Sequence, residues 1–330
     1  MKKIHVYFRT RPPKSRYLPG DRRLVHAIRR LVKGDKVSGV KKVFINLCKG
    51  FDLLNIDYDI NLPFNKISPG EPVVVLGDGT YALEGYQQAN PVIAGIGLMT
   101  HPAEWPNLMQ QYPVAKYLQH SAWANSIYIP FYGEANCALW PAGIDTGHWK
   151  PDDHANKTFD VLIYKKFLWN KEHAEEEVAQ PIIERLNTLG LTYREIIYGS
   201  YTEATYMNLL QQCRAMIFLC EHESQGFACC EAMAMNIPIY AWDQGYWLDP
   251  NRIKWRTPVV KATSTPFFDE RCGKKFTDVV DFEEHFDAFW TSVNKNEFAP
   301  RKYILENLTL EKSALAMLSI INSVYTNASE

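Results

Sequence analysis

The stretch from Glu223 to Asp243 reads ESQGFACCEAMAMNIPIYAWD, with Glu223 and Glu231 eight positions apart around Gly226 and a run of small residues. Residues 215–220 (AMIFLC) before the stretch and 237–242 (IPIYAW) at its end are apolar runs of strand length. The pattern predicts strand, loop, helix, strand, with the helix beginning near Gly226. The first N–H groups of a helix lack intrahelical partners, and with the macrodipole they favour an anionic or polar ligand. Gly226 lets such a ligand approach the backbone, followed by Phe227 and Ala228 in the first turn; Ala228, Ala232 and Ala234 allow close packing on a sheet. Glu223 falls in the loop and Glu231 about one and a half turns into the helix. A carboxylate accepts two hydroxyl hydrogen bonds at once. Two of them around an anion-binding helix start suit a ligand with phosphates in the middle and sugar hydroxyls at its ends.

Working outward, the second half of the chain repeats one alternation. Residues 159–164 (FDVLIY) and 193–198 (YREIIY) read as strands, and 176–189 and 202–214 as amphipathic helices. The first half reads similarly, with strands expected at 3–10 (KIHVYFRT), 42–47 (KVFINL), 73–76 (VVVL) and 92–99 (VIAGIGLM). A loop rich in Pro and basic residues and a helix over residues 24–32 follow the first strand. Strands separated by helices or loops argue for parallel sheets. The Gly-, Pro- and Asp-rich stretch at 140–158 reads as an inter-domain linker, and residues 306–322 as one terminal amphipathic helix. In open α/β sheets ligands bind beyond the carboxyl ends of the strands, so two such sheets facing each other would make a cleft.

Composition narrows the setting. A chain of 330 residues with 46% hydrophobic residues supports about two cored domains. No apolar run approaches the ~20 residues of a membrane-spanning helix, and the N-terminus reads as a first strand rather than a signal peptide. Seven cysteines without a C-x-x-C pair argue against a disulfide framework or a zinc site, and the expected location is the reducing cytoplasm. Net charge is −1, but the first 50 residues carry fifteen Lys and Arg against two acids. That asymmetry fits either a solvated basic face or contact with an anionic membrane, at its inner face, or with a phosphorylated acceptor. Nothing in it calls for nucleic acid.

The motif resembles the signature of family 4 retaining glycosyltransferases of GT-B fold. Glu223, Ser224, Gly226, Glu231, Ala232, Met233, Ala234 and Pro238 match the family pattern. Gln225 stands where the family usually has Phe, and Phe227 where it has Leu. WPAGIDTGHWKP (residues 140–151) is similar to the family's linker pattern, and Lys166 and Lys171 keep the spacing of its basic pair, with Lys166 in place of Arg. The resemblance implies an α/β, GT-B protein of two Rossmann-like parallel-sheet domains facing across a cleft. It places an acceptor-side domain at 1–150, a nucleotide-sugar domain at 151–305 and a terminal helix at 306–330 packing back toward the first domain.

It also implies roles. Glu231 would bind the donor ribose, with Gly226, Phe227 and Ala228 beside it. Glu223 would contact the donor sugar, and Lys166 and Lys171 the diphosphate, stabilising the leaving group's growing charge without a metal or other cofactor. His101, after the strand expected at 92–99, would face the donor sugar. The family's glycine pair after the first strand is missing, and Arg9, Arg11, Lys14 and Arg16 are the candidates there for phosphate or an anionic acceptor. His120 and His222 are read as structural, as is Trp169, and Cys229 and Cys230 as small helix residues packed on the sheet. The implied reaction is retaining transfer of a hexosyl group to a glycan, lipid-linked or other acceptor. The alternatives are an epimerase of the same fold and a non-catalytic nucleotide-sugar-binding or scaffold protein.

Overall fold

The structure, a computed structural model, describes residues 2–11, 38–152 and 154–326. Lys14, Arg16 and the helix expected at 24–32 lie outside them. Contacts divide the chain into two compact units. One takes its described residues from Met1–Gln119, Tyr128–Trp140 and Ala314–Glu330, the other from His120–Ile127 and Pro141–Ser313.

The first unit holds a six-stranded sheet of β1 (Ile4–Thr10), β2 (Tyr58–Ile60), β3 (Val73–Asp78), β4 (Val92–Gly95), β5 (Val114–Gln119) and β6 (Cys137–Leu139), in the order β2-β1-β3-β4-β5-β6. Every neighbouring pair is parallel. Residues 73–76 are fully buried, as a strand covered on both faces requires.

Two expected elements change here. KVFINL is not a strand; it lies inside the helix Gly39–Leu53, where Ser38 caps the first turn by accepting the Lys41 N–H at 3.3 Å. Val43, Leu47 and Phe51 recur every four residues and are buried, a helical spacing that a six-residue apolar window hides. The strand expected at 92–99 stops at Gly95, because Ile96 turns to φ 50° and Gly97 to φ 93°, outside the extended region.

The second unit holds β7 (Val161–Lys166), β8 (Tyr193–Ile197), β9 (Ala215–Cys220) and β10 (Ile239–Trp242), a two-stranded antiparallel ribbon of β11 (Tyr246–Trp247) and β12 (Val260–Lys261), and β13 (Gly273–Phe276). The main sheet is parallel in the order β13-β10-β9-β7-β8. Side-chain alternation splits its core in two. Leu162, Tyr164, Met216 and Phe218 pack with Cys229, Cys230, Ala232 and Met233 on one face. Val161, Ile163, Ile217 and Leu219 pack with Ile182, Leu186, Phe282 and Phe286 on the other. All seven cysteines are free thiols.

The helix expected at 176–189 begins earlier, at Lys171, and runs through a π-turn at Glu175–Ala179 to Thr188. The expected tail helix is two helices, Pro300–Asn307 and Leu310–Tyr325. Between them the Leu308 carbonyl accepts the Ile144 N–H at 2.7 Å, and Thr309 bridges to Ile144. Gly143 permits that approach: a Cβ there would come within 2.8 Å of the Leu310 Cα. The stretch beginning at Pro141 is thereby packed into the second unit, with Ile144 and Trp149 in its core.

Candidate functional site

In the second unit the strand order reverses between β7 and β9, which both leave the sheet at the same end. Crevices at such reversals are where open α/β sheets take ligands. Lys166 ends β7 and stands in register with Cys220, which ends β9. Alternation gives the two adjacent lysines opposite tasks. Lys165 is buried and reaches Glu175 at 2.8 Å and Glu195 at 2.6 Å. Burial alone would lower its pKa, but the two glutamates hold it above the ordinary value. Lys165 is a structural cation.

Lys166 points the other way. Its ammonium is hydrogen-bonded and ion-paired to the Glu223 carboxylate and lies 4.6 Å from the centre of the Tyr198 ring. Burial opposes its charge, yet Glu223 and then the neighbouring Cys220 outweigh it, so Lys166 stays protonated well above the ordinary range. Its backbone partner Cys220 leads directly into the Glu223 loop, so the pair is built by adjacent strand ends rather than by long reach.

Gly226 caps the helix Phe227–Ala234 in the left-handed conformation, φ 69° and ψ 50°, and as a glycine brings no side chain of its own to the cap. A Cβ on Gly226 would sit 3.5 Å from the Glu223 Cβ and 3.8 Å from the Ser264 carbonyl oxygen. Phe227 and Ala228 form the first turn and pack on the core. Glu231 is buried within the helix. The structure thus brings Lys166, Glu223, Gly226, Phe227 and Ala228 together at one end of the sheet, with Glu231 one turn further into the same helix. Lys171, exposed, is the first residue of its helix; among the described residues its ammonium forms no salt bridge.

The remaining candidates belong to the first unit. His101 is buried; its Nδ1 accepts the Ala103 N–H at 3.1 Å, which puts the neutral ring's proton on Nε2. Arg9 is engaged internally: its guanidinium donates to the Glu84 carbonyl at 2.8 Å and lies 4.7 Å and 5.1 Å from the centres of the Phe64 and Tyr81 rings. Arg11 is exposed.

Four sets of contacts go beyond the motif reading. Glu221 accepts the Leu168 N–H on both oxygens, at 3.0 Å each, and the Trp169 N–H at 3.3 Å, fastening the loop that joins Lys166 to Lys171. Burial pushes its pKa up, against the pull of those amides and of Lys166. His222 stacks face to face on Trp169 at 5.1 Å and meets the edge of Trp123 at 5.4 Å; burial, then Lys166, lower its pKa to about 4, with Asp249 opposing. The Trp123 indole donates to the Glu223 carbonyl at 2.9 Å, and the Glu223 N–H to the Thr263 carbonyl at 3.0 Å. Beside it, the buried hydroxyls of Ser264 and Thr265 have no hydrogen-bond partner among the described residues. Gln225 exchanges two hydrogen bonds with the backbone of Ala142, at 2.8 and 3.1 Å. An acid flanking the motif was the available signal for Glu221, and the departure from the family pattern inside it the signal for Gln225; the 263–265 contacts are set by tertiary folding.

No group of three or more His, Cys, Asp and Glu side chains among the described residues is placed to hold a metal ion. Also among the described residues, no helix is long and apolar enough to cross a membrane.

No family model matches the sequence, and no curated protein matches it. Solved structures do. A glycosyltransferase involved in avilamycin A biosynthesis superposes with a TM-score of 0.55 at 11% identity, covering 99% of this chain and 98% of its own. Sucrose-phosphate synthase from Thermosynechococcus elongatus gives 0.56 at 11%, covering 99% and 100%. The pneumococcal O-GlcNAc transferase GtfA, in complex with UDP and GlcNAc, gives 0.51 at 12%, covering 86% of this chain and 60% of its own. The chain therefore has a GT-B-like fold of two Rossmann-like, parallel-sheet domains.

Proposed function

We propose that this protein is a retaining glycosyltransferase that moves a hexosyl group from a nucleoside-diphosphate sugar to a glycan, lipid-linked or other acceptor. The observation that carries the reading is the meeting of Lys166 and Glu223 where the strand order reverses, beside the start of a helix that buries Glu231. In this reading Lys166 and Lys171 take the donor diphosphate. Lys171 stands at a helix start, where a cation is unfavourable on its own and a bound anion relieves both it and the dipole. The start of Phe227–Ala234 faces the same charge, Glu231 takes the ribose hydroxyls and Glu223 the sugar. Preorganised cations at a departing nucleotide stabilise charge that grows in the transition state, so no metal is assigned.

His101 keeps the role the resemblance gives it, beside the donor sugar; His101→Ala is expected to lower turnover while leaving nucleotide affinity unchanged. Arg11, with Lys14 and Arg16 outside the described residues, is assigned to an anionic acceptor or an anionic membrane. The fold's use by a protein solved with UDP supports a nucleotide-sugar donor.

One observation favours a second reading, a non-catalytic nucleotide-sugar binder: Glu223 already neutralises Lys166. Thermal unfolding against UDP-, GDP-, ADP- and CMP-sugars, followed by assay of donor hydrolysis, separates the two. A ligand at ~100 times its Kd stabilises the fold by about 2.7 kcal/mol. A selective shift with slow hydrolysis supports transfer, a shift without hydrolysis supports the binder, and no shift with any donor removes both.

A further inference from the structure

Between β10 and Thr263 the chain leaves the sheet as a lobe, residues 245–262, built on the β11–β12 ribbon. The lobe is fastened from within. Trp247 stacks on Trp255 with rings nearly parallel and centroids 6.2 Å apart. Asp249 caps a short turn by accepting the Asn251 N–H at 2.7 Å, the Thr257 N–H donates to the Arg252 carbonyl at 2.9 Å, and the Ala262 N–H to the Gly245 carbonyl at 3.0 Å.

This framework holds large apolar side chains out in water. Ile253 is 72% exposed, Val259 49%, Tyr246 47% and Leu248 41%. Arg252, Lys254, Arg256 and Lys261 are interleaved with them, and none forms a salt bridge among the described residues. The lobe's one acid, Asp249, is buried. Its solvent-facing charge is thus entirely positive, on a chain whose net charge is −1.

We infer that this lobe docks the protein on an anionic lipid surface. Apolar tips suit the boundary between headgroups and acyl chains, while flexible basic side chains bury their stems there and keep their charge at the phosphates. Lysine is depleted at protein–protein interfaces; here Lys254 and Lys261 stand among the apolar tips. The inference is independent of sugar transfer, because it is read by binding alone. It concerns a surface other than the basic first 50 residues.

The test is co-sedimentation of the full chain with vesicles of phosphatidylcholine, alone or mixed with phosphatidylglycerol. The intact protein is expected to bind the mixed vesicles, not the neutral ones, and to release at high salt. Ile253→Ser with Val259→Ser, and separately Lys254→Glu with Arg256→Glu, should each weaken binding about tenfold or more with the fold retained by circular dichroism, since these residues are exposed. Arg22→Glu with Arg23→Glu serves as the comparison in the basic first segment. Failure of the intact protein to bind mixed vesicles, or binding lost only in the Arg22/Arg23 variant, overturns the inference. So does an Ile253 and Val259 variant that changes oligomeric state but not vesicle binding, which would make the lobe a self-association surface.

Discussion

Glu221 receives the Leu168 backbone N–H on both carboxylate oxygens, at 3.0 Å each, and so ties the end of β9 to the loop between Lys166 and Lys171. In the proposed donor site its carboxylate would act on a diphosphate only through that loop, which would make it a positioning residue. Glu221→Gln keeps the shape but leaves one oxygen and a weaker, neutral acceptor. Charge-assisted hydrogen bonds exceed neutral ones by about 1 kcal/mol. The donor KM is therefore expected to rise severalfold with kcat and acceptor KM little changed. Steady-state kinetics with each substrate varied checks it; an equal fall in kcat without a KM change would remove the positioning role.

Lys166 and Glu223 neutralise each other, and the Glu223 side chain is itself mostly buried. If the proposed donor site is right, a nucleoside diphosphate must take Lys166 from that partner. Glu223→Gln frees the ammonium. Affinity for the bare nucleoside diphosphate is expected to rise severalfold while turnover falls about a hundredfold, the scale of losing one preorganised polar group at a reacting centre. Calorimetry with the nucleotide beside a turnover assay reads both. Weaker nucleotide binding in the variant would mean that Lys166 does not meet the phosphates.

Residues 215–242 were legible as strand, loop, helix and strand because their apolar runs are bounded by a glycine and a proline, and local chemistry alone decides such punctuation. KVFINL was not legible: six apolar and polar residues fit a strand as well as a helix, and the buried spacing of Val43, Leu47 and Phe51 emerges only in a window that reaches past its end to Phe51. β13 escaped for a different reason. Its GKKF sequence has exposed lysines at its centre and buried Gly273 and Phe276 at its ends, so only pairing with β10 identifies it. The adjacent lysines at 165 and 166 are chemically alike in sequence; the face of β7 decides which one is a structural cation.

His222 carries a pH dependence whose sign is fixed by its lowered pKa. Burial first, then repulsion by Lys166, bring it from 6.5 to about 4, with Asp249 pulling the other way. The unfolded chain therefore binds more protons than the folded one between those values. Stability contributed by neutral His222 is present above pH 6.5 and is lost as pH falls toward 4, by roughly 3 kcal/mol at most. His222→Phe keeps a ring between Trp169 and Trp123 but cannot titrate. Urea unfolding at pH 7 and pH 4.5 should show a smaller acid loss in the variant than in the parent; equal losses would show that His222 is not strained by protonation.

Gln225 occupies the position where the resembled family carries Phe, and its amide does what a ring cannot. It accepts the Ala142 N–H at 2.8 Å and donates to the Ala142 carbonyl at 3.1 Å, a two-way clamp on backbone that is itself buried. Gln225→Phe would strand both groups away from water, at about 1–3 kcal/mol for each unsatisfied group, and its larger ring would crowd a filled site. The family residue is thus expected to lower the unfolding temperature by several degrees. At acidic pH Gln225→Glu should cost less than Phe, because the protonated acid keeps an acceptor for the Ala142 N–H and a donor for its carbonyl. Differential scanning calorimetry of the two variants ranks them, and a Gln225→Phe protein as stable as the parent would show that the clamp contributes nothing.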